Sequence, residues 1–468
     1  FYAGMAAASG HPALKAVSPQ APVTDWFRGD DFHHNGVFFY MDAFDFYVAG
    51  GFGRPHPVPL EKETAMPDVY DSKDNYAFYL RHGALKNLLK FTGDSIAFFQ
   101  QLYQHPNEDA WWKARNARVA QYNIKPAVLV TGGLFDAEDC YGAWNLYKAI
   151  RAQSPATDAR LVMGPWYHGQ WGSDDGTHLG NISFGSNTAF WYQNRIEIPF
   201  FNHYLKGRDD PDPARATIFF TGENKWRTFD NWPTEKAESE NLYLEEKGSL
   251  GNDRPQAKTG YDEYTGDPAH PVPYTEDVHF NRTREYMTDD QRFAERRSDV
   301  LTYKTAILEK DLTLGGPLTA DLQVSISTTD ADFVVKLIDV FPDTLSYQRI
   351  DIYAAKEAKK IYPMGGYEML VRGEIFRGKF RNSFEKPEPF KPGKVERVRF
   401  ALPDIAHTFK KGHRLMVQIQ SSWFPLADRN PQRFTDIYTC DDADFQKATI
   451  RIYRDQDHPS LLVLPVIR

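Results

Sequence analysis

Asp136, Glu138 and Asp139 crowd three carboxylates into four positions, and His168 follows about thirty residues downstream. One carboxylate in such a set can hold an imidazole in a single tautomer and stabilise it once it has taken a proton from a nucleophile. Carboxylates this close repel one another unless a positive charge or a donor sits among them. The remaining acids therefore suit a cation, either a substrate ammonium or a metal such as calcium. Each residue also has a plainer reading. Asp136 would cap the helix that begins near Cys140, Asp139 would be that helix's N-cap with Glu138 solvated beside it, and His168 would be an ordinary loop histidine.

The local pattern places both groups at the ends of strands. Ala127 to Val130 is a short β-branched run that breaks on Thr131-Gly132-Gly133. A helical period follows through Cys140, Ala143, Trp144, Tyr147 and Ile150. A second strand, Ala159 to Met163, runs into Gly164-Pro165-Trp166-Tyr167-His168. Strand, acid, helix, strand, histidine is the order of the acid and the base in an α/β-hydrolase. The nucleophile is missing from this order. No Gly-x-Ser-x-Gly occurs, and Gly93-Asp94-Ser95-Ile96-Ala97 lacks a preceding strand and reads as a helix cap. Neither Cys140 nor Cys440 follows a strand-turn, and Ser173, Ser183 and Ser186 come after the base. Asp30-Asp31-Phe32-His33-His34 gathers acids and histidines, but adjacent histidines seldom share one metal. His33 and His34 read as a polar hinge, and no metal or cofactor is assigned.

At 468 residues the chain exceeds one core, and two or three domains are expected. Aromatic residues make up 15%, which suits a β-rich body with an apolar pocket. The net charge of −8, with both signs mixed, offers no basic stripe for a nucleic acid. No apolar run reaches the length of a membrane span, and two distant cysteines decide no compartment. The expected domains are 1–30 and 124–214 for the α/β-hydrolase part, 31–123 for a helical cap inserted into it, and 215–468 for a jelly-roll β-sandwich. The cap carries helices starting at Ser95 and spanning Ala110 to Tyr122. Asp209-Asp210-Pro211-Asp212-Pro213 marks the junction with the sandwich. The sandwich strands are Ala216–Phe220, Glu240–Leu244, Leu318–Ser327, Asp332–Val340, Glu368–Phe376, Glu396–Leu402, Arg414–Ser422 and Ala448–Tyr453. Gly251 to Arg297 reads as a long loop that crosses another domain or serves a site.

Several stretches resemble the α-amino acid ester hydrolases, within the wider group of cocaine esterase, acyl esterases and X-prolyl dipeptidyl peptidases. They are Gly133-Leu-Phe-Asp-Ala-Glu-Asp139, Met163-Gly-Pro-Trp-Tyr-His168, Pro19 to Trp26, Gly29 to Gly36, and, in the jelly roll, Val334–Val340 and Arg297–Tyr303. The resemblance implies that Asp136 is the triad acid and His168 the base. It places Asp31, Glu138 and Asp139 on a carboxylate cluster that recognises a substrate α-ammonium. It implies a serine hydrolase of α-amino acid esters or amides, β-lactam side chains included, with no cofactor. General acyl esterases and dipeptidyl peptidases are the alternatives, and a jelly-roll binding module using Trp226 and Trp232 on glycans is a distant one. Members carry a Gly-x-Ser-Tyr-x-Gly elbow followed by residues like Phe1-Tyr2-Ala3-Gly4, so the nucleophile is expected upstream of Phe1 and the chain to be a piece of a longer protein. Homo-oligomers and export are further expectations from the group.

Overall fold

The computed structural model describes residues 1–49, 72–92, 96–209, 213–279, 281–346 and 362–468. Five strands form the sheet that carries the site, in the order Ala16–Val17, Ala127–Gly133, Ala159–Gly164, Ala216–Phe220 and Lys225–Phe229. The first four run parallel and the last is antiparallel. Ala127–Gly133 is buried along its whole length, as a parallel strand covered on both faces must be. On one face lies Cys140–Gln153, whose Ala143, Trp144, Tyr147 and Ile150 recur at helical spacing and pack on Val128, Val130, Leu161 and Met163. On the other face Trp166, Tyr192, Ile196 and Phe200 cover Leu129 and Val162. The helix over Thr188–Lys206 passes through a π-turn at Gln193–Glu197 and ends at Gly207 in a left-handed cap, φ +62°.

Ala216–Phe220, expected among the sandwich strands, lies in the α/β sheet. It does not join the sandwich; Leu161 pairs with Ala216 and Met163 with Ile218, in parallel. All five of its residues are buried, and such a run fits the interior of a two-faced sheet as well as a sandwich face. The Asp209–Pro213 break, of which 210–212 lie outside the described residues, thus links a crossover helix to its next parallel strand. The α/β sheet ends at Phe229, and the sandwich begins with Ala237–Glu245.

The helical segment shares its core with the sandwich. Phe38, Phe44, Phe78, Phe99 and Trp112 belong to the same apolar cluster as Val334, Phe376 and Val417. The expected helix over Ala110–Tyr122 is instead two turns, Ala110–Lys113 and Ala117–Ala120. Asp109 accepts from the N–H groups of Trp111 and Trp112, and Asn116 accepts from Arg118, so a side-chain cap restarts the chain midway. A second helix covers Ala97–Gln104; Gly93, Asp94 and Ser95, read as its cap, lie outside the described residues.

In the sandwich, hydrogen bonds link ten strands in one path from Tyr261–Gly266 to Glu368–Arg377, and Glu396–Phe409 adds to Leu312–Ile326. Asp332–Val340 and Ala448–Tyr453 span the expected residues. The stretch from Gly251 to Arg297, read as a loop, contains a strand and two short helical turns. Tyr261–Gly266 pairs antiparallel with Ala448–Tyr453, a partner nearly two hundred residues away that local spacing does not reveal. Val272 and Tyr274 then bond to Ser422 and Phe424 of the sandwich, and Arg282 and Thr288 reach Glu138 and Leu179 in the α/β part. Among the described residues no helix is long and apolar enough to cross a membrane.

Candidate active site

The end of the Ala127–Gly133 strand is built for close approach. A Cβ on Gly133 would stand 2.1 Å from the carbonyl oxygen of Trp166, and one on Gly132 would stand 2.5 Å from Ala143 Cβ. Without side chains there, the N–H groups of Leu134 and Phe135 donate to the carbonyls of Gly164 and Trp166 at 2.7 and 3.0 Å. The loop holding Asp136 is thereby stitched to the loop holding His168.

Asp136 is 1% exposed, and its Oδ1 accepts from the N–H groups of Glu138 and Asp139 at 2.9 and 3.0 Å. His168 Nδ1 lies 3.2 Å from each Asp136 oxygen. Asp136 thus braces the loop before the helix and holds the imidazole at once. The two readings of this residue coexist. The His168 side chain is 41% exposed, and no described residue hydrogen-bonds its Nε2, which leaves that nitrogen available to a reacting group. Burial alone would push Asp136 up, but the His168 charge and hydrogen bond, with the N–H groups of Asp139 and Glu138, hold its carboxyl below the usual range. Burial opposes charge on His168, yet Asp136, with Glu138 and Asp31 behind it, raises the imidazole to about 9.

The other acids converge on the same nitrogen. Glu138 Oε2 is 3.6 Å and Asp139 Oδ2 3.5 Å from His168 Nδ1. Polar atoms of Glu138, Asp139 and His168 lie within 4.8 Å of one another, close enough for one small cation to touch all three. Asp139 occupies the N-cap position of Cys140–Gln153, but its side chain makes no capping bond, and its buried Oδ1 has no hydrogen-bond partner. The capping reading fails for its side chain. Burial, then Asp31, Asp136, Asp30 and Glu138, holds the Asp139 carboxyl well above its ordinary range. Asp31 joins from the start of the helical segment: its N–H donates to the Glu138 carbonyl at 3.0 Å, and its carboxylate accepts from Trp26 Nε1 at 2.9 Å. Its backbone is left-handed, φ +49°, a conformation that Asp tolerates better than most residues. Burial, then Glu138 and Asp30 against the Trp26 bond, pushes it up to about 7.

Arg282 and Asp42 are in the site without a sequence signal of their own. Arg282, from the crossing loop, bridges Asp42 and Glu138; only the length of its loop hinted at a role. The histidines are not a hinge. His33 is buried between the Trp26 carbonyl at 2.9 Å and the Tyr438 hydroxyl at 2.6 Å, and burial lowers it to about 3. His34 pairs with Glu374 of the sandwich at 3.0 Å. Both cysteines are free and buried, and burial raises Cys140 to about 12 and Cys440 to about 11, so neither is an activated thiol. The two tryptophans proposed for glycans are occupied elsewhere. Trp232 is buried, stacks on Trp144 and donates to Asp404 at 2.8 Å, and Trp226 stacks on Trp191 at 4.5 Å.

Known proteins share this arrangement of sheet and sandwich. A family model of the X-Pro dipeptidyl-peptidase (S15 family) matches residues 1–170, and one of the X-Pro dipeptidyl-peptidase C-terminal non-catalytic domain matches residues 209–463. A solved α-amino acid ester hydrolase superposes with a TM-score of 0.90 at 35% identity, covering 100% of this chain and 75% of that one. An aminopeptidase from the marine sediment archaeon Thaumarchaeota archaeon gives 0.88 at 37%, covering 98% and 73%. Cocaine esterase of Rhodococcus sp. (strain MB1 Bresler) is 28% identical over 380 residues, 79% of this chain and 61% of its own length. The chain therefore spans about three fifths of that curated relative. With both family domains matched and the α/β sheet and β-sandwich in place, the chain belongs to the X-Pro dipeptidyl-peptidase (S15) family.

Proposed function

We propose that this chain supplies the acid, the base and the ammonium subsite of a serine hydrolase acting on esters, and by extension amides, of α-amino acids. The observation that carries this reading is the position of His168 Nδ1, 3.2 Å from Asp136 and 3.5 Å from Asp139. A proton acceptor and a buried acid lacking a hydrogen-bond partner at one oxygen stand side by side. In this reading His168 Nε2 takes the proton of a serine upstream of Phe1, in the order serine, acid, base. The serine oxygen bonds to the acyl carbon, and the alcohol leaves with the proton that His168 returns. Water then attacks the acyl-enzyme, gives its proton to His168 and releases the amino acid as the serine regains its hydrogen. Asp31, Glu138 and Asp139 receive the α-ammonium, and Asp31 and Asp42 reach the cluster from the described start of the cap segment. β-Lactam antibiotics with an α-amino acyl side chain fall in the same substrate class.

A second reading keeps the subsite and changes the leaving group: a peptide amine replaces the alcohol, as the likeness to an enzyme named an aminopeptidase suggests. A third, by likeness to cocaine esterase, makes the acids structural and the enzyme a general acyl esterase. Matched substrates separate them in the full-length protein. An α-amino ester should be hydrolysed with a kcat/KM about 30-fold or more above its des-amino twin, the cost of losing one partner of a buried charge pair, and Asp139→Asn should abolish that preference. Equal rates for the twins mean a general esterase, and amides outrunning esters mean a peptidase.

A further inference from the structure

Arg282 lies on the segment that follows the Tyr261–Gly266 strand, far in sequence from the loops that carry Asp136 and His168. Its side chain is 13% exposed, and a guanidinium so nearly buried needs carboxylate partners. It has two, from separate parts of the fold. Nε donates to Asp42 in the helix Tyr40–Phe44, and one terminal nitrogen donates to Glu138 Oε1. The loop is anchored beside them, because the Thr283 N–H donates to the Tyr274 hydroxyl at 3.2 Å and Tyr274 packs edge-on against the buried Tyr286.

A bridge made only to fasten this loop would be complete with Asp42. Glu138, however, is held by both oxygens: Oε1 on Arg282, and Oε2 3.6 Å from His168 Nδ1. The carboxylate therefore sits between two cationic groups, and what Arg282 withdraws from it is lost to the imidazole. We propose that Arg282 is a positioning residue for the reaction above: by fixing Glu138 between its own guanidinium and His168, it sets how tightly the base holds its proton. The proposal rests on the reading of His168 as general base. It also divides the acids. Glu138 is engaged by Arg282, which leaves Asp31 and Asp139 as the pair that a substrate ammonium would draw into the charged form.

The groups facing His168 are Asp136, Glu138 and Asp139 from its neighbouring loop and Asp31 from the helical segment, with Arg282 and Asp42 behind Glu138. Removing Arg282 leaves Glu138 a stronger partner for the imidazolium, so the histidine should titrate higher. The test is to titrate His168 in the full-length protein by NMR of labelled histidine, assigning its resonance with His168→Gln. The acidic limb of kcat/KM for a des-amino ester gives a parallel readout. Arg282→Gln should move the His168 midpoint up by about half to one pH unit and Glu138→Gln should move it down, as expected for a charge a few ångström away. The double variant should behave like Glu138→Gln alone, and Arg282→Lys should lie between wild type and Arg282→Gln.

A midpoint unmoved by Arg282→Gln in a folded protein overturns the proposal. So does a shift that survives in full in the Glu138→Gln background, which would mean that the guanidinium acts on His168 directly. The NMR titration needs no turnover. Expected shifts in a protein that hydrolyses no amino ester would leave Arg282's influence standing and sink only the function; turnover with an unmoved midpoint would do the reverse.

Discussion

Asp136 and Asp139 sit three positions apart in one loop and are driven in opposite directions. Asp136 accepts two backbone N–H groups and faces His168, so it stays ionised. Asp139 has a buried oxygen with no donor, so its charge is resisted. Asp136→Asn should keep the loop's shape while removing the charge that steadies the imidazolium, and kcat should fall by about 10³–10⁴-fold, as for the equivalent change in other triads. An undiminished kcat would exclude Asp136 as the acid. Because His168 must be neutral to act as base and is raised to about 9, kcat/KM for a des-amino ester should climb with pH through about 9. For an amino ester it should turn down earlier, near the α-amino range of about 7.7–8.0, as the substrate loses its proton. Identical profiles for the two would argue against an ammonium subsite. Asp139 also carries a stability signature. An acid whose folded pKa is raised binds its proton more tightly folded than unfolded, so it destabilises the fold progressively as pH rises above the unfolded value near 3.9. Asp139→Asn should therefore raise the melting temperature at pH 8 and change it little at pH 4, while the preference for amino esters disappears.

At the level of elements, the site depends on how near two strand ends can come. Gly133→Ala places a methyl against the Trp166 carbonyl, which is backbone and cannot rotate away. A cost of about 1–3 kcal/mol is expected, with kcat lost because the loops of Asp136 and His168 separate; a variant with normal stability and kcat would show that this approach is unimportant. These two strands, their helix and the placing of Asp136 and His168 beyond their ends were legible in the sequence, because each rests on a short-range pattern: an apolar run, a glycine break, a helical period. What was not legible depends on partners distant in the chain. Ala216–Phe220 could pair with either sheet as far as its residues show, and Tyr261–Gly266 is a strand only because Ala448–Tyr453 lies beside it. His33 looked polar beside two acids, yet two hydrogen-bond partners, one from Tyr438 at the far end of the chain, let it enter the core neutral. Arg282 has nothing local to mark it, since both of its partners come from other segments.

At the level of the whole molecule, the sandwich acts on the acid loop through a buried arginine. Arg372, on the Glu368–Arg377 strand, donates through Nε to the Asp404 carbonyl at 2.9 Å and through a terminal nitrogen to the carbonyl of Leu134, two residues before Asp136. The side chain of Asp404 in turn accepts from Lys148 and from Trp232 Nε1, each at 2.8 Å, so it clamps the helix that follows the acid loop. The sandwich thus bonds the strand end just before Asp136 and the helix that follows it. Arg372→Met fills much of the same space but leaves two buried carbonyls without that donor, a loss of about 2–4 kcal/mol. The distinguishing effect lies in the kinetics. On the proposed mechanism a loosened Asp136 impairs every substrate that needs His168, so kcat should fall alike for amino and des-amino esters, while their KM ratio, assigned in that proposal to Asp31 and Asp139, should hold. If Arg372→Met lowers the urea midpoint and leaves kcat unchanged below that midpoint, the sandwich supports the fold without bearing on the chemistry. If kcat falls while the KM ratio stays fixed, the two domains form one catalytic unit, and the loop between Gly133 and Asp139 is where the second reaches the first.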